Sequence, residues 1–254
     1  MYKRHVILAG IILTTFFSCN SYKNIPYFQD LDHSKALQED IDNYSPVTIQ
    51  AEDILGITVT SLNPEASAVF NYASVNSTNP QTSEANNLGY LVDQKGEIQL
   101  PLIGSIKVAG LTTSRLREEM RKKLLVYLKE PVVSVRIVNF KVSVMGDVAR
   151  PGVFQVQNER LTLTEALSLA GDLNITGKRK VLLVRESDGK RHYIPIDLRS
   201  KDLFTSQYYY MKSNDVIYVQ PDKTKFASVD NSYRSVGLAL SGLSIIAVIL
   251  TRVL

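Results

Sequence analysis

Two stretches without a single charged residue, 6–17 and 236–250, lie near opposite ends of this 254-residue chain, and most of its polar sequence falls between them. That arrangement constrains the fold more than any motif inside it. The first run follows Lys3, Arg4 and His5. It has the length of a signal-peptide core and is too short to cross a bilayer. The second, VGLALSGLSIIAVIL, continues as TRVL to residue 254. As a helix, 236–254 would run about 28 Å, close to the thickness of a bilayer core. Arg234 and Arg252 bracket it where their side chains can snorkel to headgroups. The sequence therefore predicts a C-terminal transmembrane helix over 236–254.

The small and hydroxyl residues of that run are not scattered. Gly237, Ser241, Ser244 and Thr251 fall on one heptad-spaced stripe, with Val248 in the remaining place, while Leu238, Leu243, Ile245, Ile246 and Ile249 lie largely elsewhere. Such a stripe suits close helix–helix packing or a wetter face. A solitary C-terminal anchor is served equally well by these residues.

Cys19 is the sole cysteine, so it has no partner for an intrachain disulfide and cannot belong to a paired-cysteine metal or redox motif. It stands directly after Ser18 at the end of the first apolar run. This resembles a bacterial lipoprotein signal, in which 1–18 is removed and Cys19 becomes the lipidated first residue. Phe16 and Phe17 depart from the aliphatic and small residues of that pattern. An ordinary signal peptide or N-terminal anchor beside a bystander thiol is the alternative.

Removing 1–18 takes away Lys3 and Arg4 and no acids, which lowers the net charge from +4 to +2. The remaining dense basic spots, 121–123 and 178–180, read as solvated surface, and nucleic-acid binding has little support.

The middle reads as two small units. Residues 19–45 are polar and weakly patterned, a linker. TIQAEDILGITVTS (48–61) alternates towards β-branched residues and predicts two short strands around Ala51, Glu52 and Asp53. The Asn-, Ser- and Thr-rich 63–88 reads as a long loop. Tyr90, Leu91 and Val92 then face 97–100 across the turn Asp93-Gln94-Lys95-Gly96, a hairpin signal. Thr112 is placed to cap a helix, with Leu111 and Leu116 as its staple and Met120, Leu124, Tyr127 and Leu128 continuing the apolar face to Pro131. VVSVRIV (132–138) is a strand.

The second unit begins at residue 139. Strands at 142–144 and 153–156 flank a Pro-Gly turn, and Thr162 with Glu165 spells a capping box ahead of a short helix that ends at Gly171. Strands at 181–185, 193–198 and 215–219 complete it. Asp215 with its following alternation echoes Asp53 in the first unit. The fold class is α+β: two β-rich domains, 46–138 and 139–220, a second linker at 221–235, and the terminal helix.

The residues give catalysis little to stand on. His33 lies in the linker and His192 beside a strand, neither with metal-ligand neighbours in sequence, and phosphate-loop, nucleophile-elbow and zinc-protease motifs are absent. Asp147, Asp172, Asp188 and Asp215 sit in turn contexts, where aspartate caps or bends the chain. No catalytic residue, metal site or cofactor is assigned. Tyr208, Tyr209 and Tyr210 suggest a sugar-stacking platform, but an alternating strand explains them as well.

GYLVDQKGEIQLPLIGSIKVAGLT (89–112), with YLKEPVVSVRI (127–137), resembles the polysaccharide-export domain of Wza-type outer-membrane export lipoproteins. Glu52-Asp53 stands where that family carries Gly-Asp. VMGDVARPGVFQV (144–156), LTLTEALSLAGDL (161–173) and NDVIYV (214–219) resemble an SLBB domain, of the β-grasp type. The resemblance implies a non-enzymatic subunit of a homo-oligomeric ring. Its C-terminal helices would line an outer-membrane channel for capsular or exopolysaccharide, above an inner-membrane co-polymerase. Cys19 would fix each subunit to outer-membrane lipid, with both domains in the periplasm. The rival is a periplasmic β-grasp binding lipoprotein that organises or senses for an envelope complex without a pore.

Overall fold

Alternation builds the first sheet. In β1 (Ile54–Thr60) the buried side chains are Leu55, Ile57 and Val59, which a strand's period of two places on one face. β1 pairs antiparallel with β2 (Tyr90–Leu91) on one side and β5 (Val132–Ile137) on the other. A separate hairpin, β3 (Glu97–Leu100) and β4 (Gly104–Lys107), lies beside this sheet. This is a computed structural model, and it describes residues 24–71, 89–187, 189–226, 235, 237–242 and 244–246.

Between β4 and β5 runs α2 (Thr113–Leu124), capped by the Thr112 hydroxyl, which accepts the Arg115 N–H. Leu116, Met120 and Leu124 are fully buried against the sheet in one core with Leu55, Ile57 and Phe70. Burial of each is worth about 1.5–3 kcal/mol, so this face fixes the helix.

The second domain is a five-stranded sheet in the order β7-β6-β10-β8-β9. Its strands are β6 (Lys141–Gly146), β7 (Gly152–Gln155), β8 (Lys180–Ser187), β9 (Lys190–Asp197) and β10 (Val216–Val219). β6 and β10 pair in parallel, and the other pairs are antiparallel. Gly146 must be glycine: its φ is 99°, and a Cβ there would lie 2.0 Å from the Val219 carbonyl oxygen. β9 occupies an edge, where Pro195 removes no ladder bond that the sheet needs. The helix α3 (Leu163–Leu169) starts at the full Thr162/Glu165 capping box and packs Leu163, Ala166 and Leu167 into the core. A single-turn helix, α4 (Asp202–Thr205), follows β9.

Several expectations change in the structure. The expected strand before residue 51 is only an isolated bridge between Thr48 and Thr112. The turn at 93–96 does not join two paired strands: β2 pairs with β1 and β3 with β4, because residues 101–103 supply the nearer turn. The start of the expected long loop is α1 (Pro64–Ala68) and a 3-10 turn (Val69–Asn71). Asn63 caps α1, Pro64 suits its first turn, and Phe70 is fully buried. Residues 72–88 lie outside the described residues. α2 ends at Leu124 rather than running to Pro131, and Tyr127 is half exposed. Tyr208 and Tyr209 form a turn rather than a strand, and Tyr210 makes one bridge to Thr162.

The segment whose composition reads as a linker is docked. Phe28 and Gln29 donate their N–H groups to the carbonyls of Leu198 and Arg199. The Phe28 ring meets Phe204 at 4.9 Å and Tyr44 meets Tyr210 edge-on at 5.5 Å. Residues 24–45 thus strap across the second domain before the chain enters the first.

Candidate functional site

Three features of the structure can bear on function: the acids of the second domain, the seam between domains, and the chain's exit towards its C-terminus. No group of three or more metal-ligating side chains occurs among the described residues.

The turn acids are structural staples. Asp147 is wholly buried and accepts hydrogen bonds from Asn174 Nδ2 at 2.8 Å, Thr176 Oγ1 at 2.6 Å and Lys225 Nζ. Burial pushes its carboxyl up, but Lys225, Thr176 and Asn174 together outweigh that and hold it below the usual range. Asp172 accepts the Tyr27 hydroxyl at 2.5 Å. Burial, then that hydrogen bond, pushes the Tyr27 phenol well above its ordinary value. Arg179 sits against the Tyr27 ring at 5.3 Å and donates to the Ile25 carbonyl, so the strap is clamped from both sides. Asp215 is buried and meets Arg185 through two N–H bonds, Nε to Oδ1 at 2.9 Å and Nη2 to Oδ2 at 2.6 Å. Asp188 lies outside the described residues.

Side chains cross the seam directly. Thr113 Oγ1 donates to Glu159 at 3.0 Å. Asn139 donates to the Glu52 carbonyl at 2.9 Å and accepts the Ile54 N–H at 2.8 Å. An open cleft of about 540 Å³ follows this seam, with Arg117 and Arg136 from the first domain facing Gln157 and Asn158 from the second.

At the exit, the Lys225–Asp147 ion pair holds the 3-10 turn Lys223–Phe226 against the second domain. Beyond it, residues 235, 237–242 and 244–246 are helical. Leu238, Leu240, Ile245 and Ile246 are each more than half exposed there. Ser241 Oγ donates to the Gly237 carbonyl at 2.9 Å and Ser244 Oγ to the Ser241 carbonyl at 2.8 Å. The Ser241 and Ser244 hydroxyls are therefore spent on their own helix backbone. Among the described residues no helix is long and apolar enough to cross a membrane. Residues 236, 243 and 247–254 of the expected span, including Val248 and Thr251, lie outside the described residues, as does Cys19.

Sequence reasoning assigned neither the strap nor the Arg185–Asp215 pair. A Tyr27-Phe28 pair in an otherwise polar segment was the available signal for the strap. The ion pair joins residues 30 apart and has no local signature.

Comparison with known proteins adds two family matches. Residues 42–138 match the family described as polysaccharide biosynthesis/export protein, and residues 140–219 match the SLBB domain. Two curated relatives carry the name EPS I polysaccharide export outer membrane protein EpsA. The one from Ralstonia solanacearum is 29% identical over 136 residues, and the one from Ralstonia nicotianae is 36% identical over 138. In each case the match covers 52% of this chain and 36% of the relative, so the chain spans little more than a third of the length of the curated relatives it matches.

Proposed function

Because the chain carries a polysaccharide biosynthesis/export domain followed directly by an SLBB domain, we propose that it is an outer-membrane protein that exports capsular or exopolysaccharide. It acts as one subunit of a homo-oligomeric ring and performs no chemistry on the polymer. The two adjacent domains of this chain, together with its similarity to relatives named for polysaccharide export, carry this reading.

The physical parts suit the role. The helical residues at the C-terminal end turn large apolar side chains to the surroundings. A single copy leaves that face uncovered in water, whereas a bilayer covers it. A ring of such helices keeps every backbone group bonded within the membrane and can turn the stripe of Gly237, Ser241, Ser244, Val248 and Thr251 inward. Lipidation at Cys19 would add a second attachment, and two weak anchors together hold firmly where one does not. In this reading the two domains lie in the periplasm above an inner-membrane co-polymerase.

The test is surface against cell-retained polysaccharide in a strain lacking the protein, complemented with the full chain or with a version ending at Asn231. Loss of surface polymer that only the full chain restores is the expected result. Unchanged surface polymer, with no paralogue covering the loss, favours instead a periplasmic binding lipoprotein without a pore.

A further inference from the structure

Two buried arginines border cavities among the described residues, Arg179 and Arg185. Arg179 donates to the carbonyls of the strap and of its own loop, whereas the Arg185 guanidinium is only partly used. Nε and Nη2 bind Asp215, and Nη2 also donates to the Tyr210 carbonyl at 3.0 Å, while no hydrogen bond among the described residues engages Nη1. The Tyr208 ring lies 5.7 Å from the guanidinium carbon. This arrangement fixes the plane of the guanidinium in advance, so a ligand meets a donor already oriented. Arg185 forms part of the wall of a hollow of about 270 Å³ between the strap and β8–β9, too small for a polymer segment of any length and suited to a single ring.

The other walls have complementary chemistry. Tyr208 supplies an apolar surface, Gln207 and His192 supply hydrogen-bonding groups, and Asn43 keeps its amide oxygen available because its Nδ2 is spent on Phe204 and Ser206 carbonyls. Lys212 reaches the same hollow and its ammonium makes no ion pair among the described residues. No acidic residue is among the described residues that line it. Asp215 already neutralises Arg185, so Lys212 is the surplus cation among the described lining residues. An amide, an aromatic wall and fixed donors suit a sugar ring; the surplus cation suits one that carries an anion.

We infer that this hollow is a subsite for one carboxylate-bearing sugar unit, of the uronic-acid kind. The ring packs on Tyr208, its hydroxyls bond Gln207 and Asn43, and its carboxylate faces Lys212 and Arg185 Nη1. The inference rests on the export reading for its biological sense, since the ligand would be a unit of the passing polymer.

The experiment is calorimetric titration of the purified full-length chain in detergent with trigalacturonate, and with maltotriose as the neutral control. Trigalacturonate should bind, more weakly as salt rises, and maltotriose at least tenfold less tightly. Lys212→Gln should weaken trigalacturonate about tenfold while leaving the melting temperature unchanged, because the hydrogen bonds of the fold at this point use only the Lys212 backbone N–H and carbonyl. Gln207→Ala provides a second, independent wall variant and should also weaken binding. Absence of trigalacturonate binding, equal binding of the two sugars, or affinity unmoved by both variants overturns the inference. The export reading is tested separately in the deletion strain. Export lost without sugar binding removes only this subsite; export retained with sugar binding removes only the channel.

Discussion

Asp53 and Asp215 occupy the same position in two copies of one turn. Each carboxylate accepts the backbone N–H three residues upstream, from Gln50 at 2.8 Å and from Lys212 at 2.7 Å. Each acid's own N–H returns to that residue's carbonyl, at 3.3 and 3.2 Å. The residue before each acid has left-handed backbone, Glu52 at φ 71° and Asn214 at φ 65°. Both acids are buried, and each turn launches a strand, β1 or β10. The turns differ in charge: Asp215 is paired with Arg185, whereas among the described residues no cation pairs with Asp53.

The same substitution should therefore have unequal effects. In Asp215→Asn, Arg185 loses its counter-charge inside the protein, a loss of about 3–5 kcal/mol. In Asp53→Asn the amide oxygen still accepts from Gln50 and an unpaired buried charge disappears, so the cost should stay below about 1 kcal/mol. Urea unfolding of the two variants measures this. Equal losses would show that the arginine is not what separates the two turns.

Glu52 pays for its place in the first turn with a strained backbone. A side chain in the left-handed region costs about 1–2 kcal/mol, partly recovered because glycine loses more freedom on folding. Glu52→Gly should raise stability by about 0.5–1 kcal/mol. That position is where the family resemblance has glycine, so the strain follows from the departure. A lower unfolding midpoint in the glycine variant would mean that the glutamate side chain contributes more than its backbone costs.

What the sequence made legible was local. The Thr112 cap, the Thr162/Glu165 box and the alternation of β1 each lie within a few residues, and each recurs in the structure. The echo between Asp53 and Asp215 could be read as a pattern, though not as a shared turn. What escaped was decided across the chain. β2 left its expected partner for β1, the tyrosines at 208–210 were placed by the strap and by Thr162, and Arg185 found Asp215 across two strands. Composition alone also misread residues 24–45, since a few aromatic side chains suffice to dock a polar segment.

The clamp at the chain's exit should be sensitive to acid. Asp147 has a lowered folded-state pKa, so its ionic contribution is complete above the ordinary carboxylate value of 3.8 and is lost as pH falls through the lowered one. Asp53 has the opposite sign: burial raises its pKa, and its penalty grows as pH rises from that ordinary value through the raised one. Thermal melts of wild type and Asp147→Asn should therefore differ by a constant amount across about pH 6 to 8. The gap should shrink once the pH drops below the ordinary carboxylate value. A gap that persists in strong acid would place the effect of the substitution in packing rather than charge.

The assignment of faces on the C-terminal helix can be tested with single charges. Ser244 lies on the small-residue stripe and Ile246 lies opposite it, since two residues at 100° each turn the helix through about half a circle. An aspartate facing lipid near the middle of a span costs about 2.5–3.5 kcal/mol, whereas one facing a polar lumen or another helix can stay hydrated or find partners. Ser244→Asp should therefore leave the chain in the outer-membrane fraction and alter surface polysaccharide, through the lumen it would charge. Ile246→Asp should reduce membrane recovery itself. If both variants insert as well as wild type, the stripe does not define a lumen, and the helix serves as an anchor without a lipid-facing preference. If Ser244→Asp alone fails to insert, the faces are reversed, and the apolar side chains at 238 and 246 pack inward.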